Sequence, residues 1–355
     1  MFDRKLYVAG ITALFFTATT LFIGSCTHDV PVKPELPSDD IRLVVPSNFP
    51  QPVYNFSSNT LTKEGFILGR KLFYETRLSR DNTISCGSCH QQFAAFAHFE
   101  HKVSHGIDGL FGNRNSPGLF NLLWQTNFMW DGGVNHIEVQ PLAPITNPVE
   151  MDESMNNVVS KLKADPLYKK MFIDAFGNDT INSQRVFKAM AQFMGMFTSS
   201  NSRYDKYMRG EPEGTMSAEE LNGLNLVRQK CTPCHAEPLF TDNTYRNNGL
   251  LFDPILNDAG RMNITMLQSD SMKIKVPSLR NVGLTGLYMH DGRFNTLQQV
   301  LNHYSTGIVH NSTLDPLLAT GIPLTTQEKS DIVRFLETLN DYELITDERF
   351  ADPNF

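Results

Sequence analysis

Cys86-Gly87-Ser88-Cys89-His90 is the stretch that decides this chain, and it recurs 145 residues later as Cys231-Thr232-Pro233-Cys234-His235. Two thiols three positions apart can each add to a vinyl group of one porphyrin. The adjacent histidine then lies under the iron and donates a ring nitrogen, which makes Cys-x-x-Cys-His the attachment signature of c-type haem. With 5 Cys and 10 His in 355 residues, chance predicts roughly 0.002 such pentads. A zinc site made of two Cys-x-x-Cys pairs is the competing reading, but zinc ribbons place their pairs about 15–20 residues apart. The expectation is therefore two covalent haems, one on Cys86, Cys89 and His90, the other on Cys231, Cys234 and His235.

Each motif follows a helix with a readable start. Thr62 can cap a helix through Phe66, Gly69 and Phe73, and Ser217 with Glu220 forms a capping box ahead of Leu221, Leu224 and Val227. Thr325 with Glu328 opens a further helix carrying Ile332, Phe335, Leu336 and Leu339, and another is expected over Ser183–Phe197. Strand-like alternation is scarce. The fold class is mainly α: two cytochrome-c-like haem domains with long irregular connections, residues 56–205 and 206–345, dividing where Asn, Ser, Gly and Pro gather near Asn201–Gly214.

The N-terminus reads as an address. Arg4 and Lys5 precede an apolar run from Leu6 to Gly24 that ends Ile23-Gly24-Ser25-Cys26, a secretory signal over residues 1–26 whose ending resembles a bacterial lipoprotein box. An uncleaved membrane anchor is the alternative. Five cysteines less four haem thiols leave only Cys26, where a lipobox needs it, so no disulfide is expected. Residues 27–55, with Pro31, Pro34, Pro37, Pro46, Pro50 and Pro52, read as an extended tether. The expected location is periplasmic, lipid-anchored through Cys26. Net charge is −7 with no basic block, which argues against nucleic acid as a partner; a homodimer is left open.

Between the motifs lie Arg114-Asn115-Ser116-Pro117, Trp130-Asp131-Gly132, Gln140, and Asn147-Pro148-Val149-Glu150-Met151. Beyond the second come Val276-Pro277-Ser278-Leu279-Arg280-Asn281 and Tyr288-Met289-His290-Asp291-Gly292. In these motifs and their order, from about Gly69 to Asn340, the chain resembles the bacterial di-haem cytochrome c peroxidase family, including MauG-like di-haem enzymes. The resemblance implies that Glu150 is the acid/base and Gln140 the amide that holds the oxidant over the first haem. A peroxidase must move a proton from one peroxide oxygen to the other as the O–O bond breaks, and a carboxylate over an open iron face can do so. The bland reading of Glu150 is a surface residue capping the turn after Pro148; its spacing from Trp130 and Gln140 matches the family instead. Trp130 matches the tryptophan that carries electrons between the haems, whereas Trp124 reads as core. Asn115, Thr285 and the backbone of Leu287 match positions that hold calcium, an ion that accepts amide and carbonyl oxygens.

Two departures stand out. The peroxidases of the family supply Met as the upper ligand of the second haem, eight positions after the Thr of a Thr-Leu pair; here Thr296-Leu297 leads to Tyr304, as in MauG. A phenolate favours ferric and higher states, a thioether the reduced one. Met289 and His303 are rival ligands. The position of the histidine that covers the first haem in reductively activated members is Ile107, which cannot ligate iron. His98, His101 and His105 just upstream read as solvated loop residues or haem-edge contacts, so the first haem is expected to be five-coordinate. Three functions compete: hydrogen peroxide reduction with electrons from a small cytochrome c or cupredoxin, MauG-like oxidation of a partner protein's side chains, and non-enzymatic electron transfer.

Overall fold

The capping residues start the helices where the apolar spacing asks for them. Thr62 accepts from the Gly65 amide at the head of the Lys63–Phe73 helix. Ser217 with Glu220, and Thr325 with Glu328, close reciprocal boxes on the Ala218–Lys230 and Thr326–Glu337 helices, satisfying amides that a first helical turn leaves unpaired. The fourth long helix runs Ser183–Met194 and stops at Gly195, short of the expected Phe197. A side chain at 195 would press on Phe56 and Leu123. Residues 41–354 are described by the computed structural model of the chain; the signal segment with Cys26 and tether residues 27–40 lie outside them.

The four helices pair into two crossings built alike. At Gly69 an added Cβ would lie 2.0 Å from the Ala189 carbonyl oxygen, and at Gly223 it would lie 2.0 Å from that of Asp331. Only glycine lets the backbones approach so closely. Phe193 and Phe335 sit beside the two glycines in the same way. One apolar core gathers Phe66, Leu72, Phe73, Phe96, Phe193 and Phe197, the other Leu224, Val227, Phe240, Ile332, Phe335 and Leu339. Strand is confined to the antiparallel pair Tyr245–Arg246 and Ile274–Lys275 among the described residues.

The likeness of the halves extends into the loops in a register of 160 residues. Asn121 and Asn281 share left-handed φ values of 54° and 56°, and Met129 and Met289 share 66° and 74°. The bridge Phe128↔Val134 returns as Tyr288↔Phe294. The halves also grip each other reciprocally. Lys275 donates its amide to the Trp130 carbonyl at 2.7 Å, and Asn115 donates its amide to the His290 carbonyl at 2.7 Å. Residues 115 and 275, and 130 and 290, are equivalents in that register, so the contact is self-complementary, as at a two-fold axis.

Two stretches depart from expectation. The Pro-rich segment is not a free tether throughout: Ile41, Leu43, Val45 and Tyr54 pack on the first core, and Phe49 is buried edge-on against Trp124, ring centroids 5.2 Å apart. Trp124 Nε1 donates to the Pro50 carbonyl at 2.7 Å. Proline-rich chain lacks amide donors, but its carbonyls and the aromatic between them still supply a binding strip. At the other end the packed chain does not stop at 345. Phe350 is buried among Phe66, Phe96, Phe193 and Phe197, and the Tyr74 hydroxyl donates to its carbonyl at 2.7 Å.

Candidate active site

Both Cys-x-x-Cys-His motifs line one cavity of about 1030 Å³. His90 Nδ1 lies 2.7 Å from the Phe96 carbonyl oxygen, and His235 Nδ1 lies 3.1 Å from that of Phe240. Phe96 and Phe240 take left-handed φ values of 59° and 54°, the backbone conformation from which each carbonyl meets its ring. A carbonyl can only accept, so Nδ1 carries the proton and Nε2 keeps a lone pair for a metal. Burial pulls His90 down to about 4 and lowers His235 as well, so both rings are neutral. Burial also pushes the thiols up, Cys86 to about 12 and Cys89 and Cys231 to about 11, with Cys234 shifted the same way. All four are unbridged. Paired free thiols and neutral imidazoles on one apolar-walled cavity fit two haem c groups.

On the first motif's side the cavity wall carries Gln140 and Glu150. Burial raises the Glu150 carboxyl, and hydrogen bonds from Ser104 and Asn147 pull it back. Gln140 Nε2 points at Met129 Sδ, 3.8 Å away. Ile107 is buried and absent from the wall, its amide donating to the Glu150 carbonyl at 2.9 Å. His105 does line the cavity. The expectation of solvated histidines is corrected for His98, which is only 4% exposed, with Nε2 3.2 Å from His101 Nδ1. The rings of this loop pack on one another at a tilt, His98 and His101 with centroids 5.0 Å apart and His101 and His105 5.3 Å apart.

The register of 160 explains how the two sides differ. Tyr304 and Val300 of the Leu297–Thr306 helix line the second motif's side; their equivalents on the first side are Pro144 and Gln140. Proline cannot ligate iron, and glutamine replaces an apolar residue with a hydrogen-bond donor. Tyr304 is deep in the cavity, and burial pushes its phenol up to about 12. Met289 also lines the wall, its sulfur taking the Asn248 amide at 3.4 Å. His303 does not line it; its Nε2 is 2.9 Å from the Asn248 carbonyl oxygen.

Trp130 stands on the cavity wall, its indole Nε1 donating to the Asn115 carbonyl at 2.8 Å. Asn115, Thr285 and Leu287 are on the same wall. Behind Trp130, Arg114 is clamped by Asp131 and Asp258. Two residues of this site were not singled out from sequence. Lys275 lines the cavity with its ammonium on two neutral oxygens, Gln125 Oε1 at 2.6 Å and the Asn127 carbonyl at 2.8 Å, and burial pulls it down to about 8. Ser104 lines the same cavity as Glu150, 46 positions away in the chain, a placement that no local pattern announces.

A family model described as di-haem cytochrome c peroxidase matches residues 63–213. The methylamine utilization protein MauG of Methylorubrum extorquens is 35% identical over 82% of this chain and 82% of its own length. The cytochrome c551 peroxidase of Nitrosomonas europaea is 33% identical over 66% of this chain and 70% of its own. Among solved structures, a MauG-like protein associated with microbial copper homeostasis superimposes with a TM-score of 0.78 at 32% identity, covering 88% of this chain and 99% of that one.

Proposed function

Because this chain belongs to the di-haem cytochrome c peroxidase family, with MauG among its relatives, we propose that it reduces hydrogen peroxide to water using electrons from a small redox protein. The observation that carries this reading is Gln140 and Glu150 on the wall of the cavity that His90 also lines, with Pro144 where the other half has Tyr304. A haem bound to Cys86, Cys89 and His90 supplies the redox-active iron. Glu150, as a carboxylate, takes a proton from one oxygen of hydrogen peroxide and returns it to the other, so that water leaves as the O–O bond breaks. Gln140 donates from its amide to hold the oxidant. Two electrons and two further protons complete the conversion of one peroxide to two waters; a cytochrome c or cupredoxin is the donor class. Trp130, its N–H already engaged by Asn115, serves as the stepping stone between the halves. Cys231, Cys234 and His235 would hold the second haem, with Tyr304 as its further ligand. A calcium ion is proposed on the Asn115 side-chain oxygen and the Thr285 and Leu287 carbonyls; Asn115 Nδ2 donates to the His101 carbonyl at 3.3 Å, which leaves Oδ1 for a cation. Export, with lipid on Cys26, completes the proposal, and Cys26→Ser should abolish palmitate labelling.

The deciding experiment is a steady-state assay with peroxide and reduced cytochrome c. Turnover that falls by about 10²–10⁴ in Glu150→Gln supports the proposal, since that is the usual weight of a positioned acid/base. Tyr304 favours a second reading, MauG-like oxidation of a partner protein's side chains; peroxide consumption with no turnover of any small donor would shift the assignment there. A pure electron carrier has no use for a carboxylate and an amide over an open face.

A further inference from the structure

In the 160-residue register Lys275 is the equivalent of Asn115, and both line the cavity. Each gives its amide to the other half, Lys275 to the Trp130 carbonyl and Asn115 to the His290 carbonyl, both at 2.7 Å. The Lys275 ammonium lies on Gln125 Oε1 at 2.6 Å and on the Asn127 carbonyl at 2.8 Å. The equivalents of Gln125 and Asn127 are Thr285 and Leu287. Those two residues, with Asn115, are the ones on which a calcium ion is proposed. The pseudo-two-fold therefore lays the ammonium of one half where it lays the ion of the other. Each set draws one residue from its own half and two from the opposite half.

The surroundings of the ammonium are those of a metal ion rather than of an ion pair. A buried charge ordinarily faces an opposite one. Among the described residues no carboxylate pairs with Lys275, and its partners are an amide oxygen and a carbonyl oxygen. Neutral oxygens of this kind are what calcium accepts. Burial lowers Lys275 only to about 8, so it carries its charge at pH 7. The two sets are not identical. Leu287 has a left-handed φ of 59° and Asn127 does not, and Gln125 reaches the cation with its side chain.

We propose that the join of the two halves has two equivalent cation positions, and that the Lys275 ammonium fills the second in place of a metal ion. The first position rests on the calcium reading above. The residue at 115 or 275 makes the choice. A short amide can only share an ion with the two facing residues, whereas a lysine brings its own charge to them. The second cation is then part of the chain and beyond the reach of a chelator.

The test is the calcium content of the holoprotein after exchange into millimolar calcium and gel filtration, read beside its thermal midpoint. Lys275→Asn gives the second position the residue of the first, and should carry one calcium more per chain than wild type. An unchanged content, or a variant that does not fold even in millimolar calcium, would overturn the proposal. The reverse exchange is read against a neutral control. Asn115→Leu should lose calcium and unfold at a lower temperature. Asn115→Lys should lose calcium yet keep the wild-type midpoint, with or without EGTA, because the ammonium replaces the ion. An equal fall in both variants also counts against the proposal. Calcium retained by Asn115→Leu would fail the calcium reading alone, since the difference between Lys275→Asn and wild type is still read.

Discussion

At the scale of the residue, the two halves are separated by substitutions at equivalent positions. Pro144 against Tyr304 puts a side chain without a donor on one side and a phenol on the other; Gln140 against Val300 gives the first side an amide. The Tyr304 assignment is tested by Tyr304→Met. Thioether in place of phenolate stabilises the reduced iron, so the midpoint potential of the second haem should rise by on the order of 0.1 V or more, a part of the roughly 0.8 V that axial ligands span. Tyr304→Phe should convert that haem to a high-spin form. An unchanged low-spin spectrum in Tyr304→Phe would transfer the ligand role to Met289, whose sulfur is on the same wall. The haem thiols and both histidines were legible because motif chemistry binds them to short spacings; Trp130, Gln140 and Glu150, which line the same cavity, were reached only through the family resemblance. Ser104 was not legible, because only a hairpin that folds across Glu150 brings it to that wall, and Lys275 was not, because only burial distinguishes it from any surface lysine.

At the scale of the element, capping residues and apolar spacing announced the four long helices, since both are interactions within a turn or two of chain. How the helices cross is a property of glycine rather than of any apolar residue. A methyl group at Gly69 or Gly223 would sit 2.0 Å from a carbonyl oxygen of the partner helix, and backbone cannot yield as a long side chain can. Gly69→Ala and Gly223→Ala should each destabilise by about 1–3 kcal/mol, the range for overpacking. Read as thermal midpoints of the holoprotein, each should unfold several degrees lower, at roughly 2–4 °C per kcal/mol. Equal midpoints in wild type and variants would mean that the crossings open without cost. The 160-residue register escaped the sequence reading for a related reason. Asn121 and Asn281, and Met129 and Met289, match in residue and in left-handed backbone alike, but most of the side chains between them differ, and isolated matches do not announce a repeat.

At the scale of the whole molecule, residues 41–354 fall in one compact unit although they contain two cores, and the N-terminal segment is one reason. Arg280 and Asp205 form a fully buried ion pair with two hydrogen bonds of 2.8 Å, and Arg280 also donates to the Pro238 carbonyl at 2.9 Å. The Phe49 ring lies 4.7 Å from that guanidinium and packs on Trp124 with its other edge. Asn48 reaches Asp205 at 3.5 Å. A segment that belongs to the first core by its apolar contacts therefore covers the charge pair of the second. Two truncations separate tether from clamp. A chain beginning at residue 41, exported behind a substitute signal, should keep two haems and the full-length thermal midpoint. One beginning at residue 55 loses Phe49 and exposes Arg280; losing a buried phenylalanine alone costs about 3–5 kcal/mol, so its midpoint should fall by on the order of 10 °C. Arg280→Met should lower the midpoint to a similar extent, because it strands the Asp205 carboxylate without its cation, for which about 3–5 kcal/mol is the expected loss. Equal midpoints for the two truncations would make residues 41–54 a passenger and leave the halves joined by their direct contacts, among them the reciprocal ones of Trp130 with Lys275 and His290 with Asn115 and the Arg114–Asp258 pair.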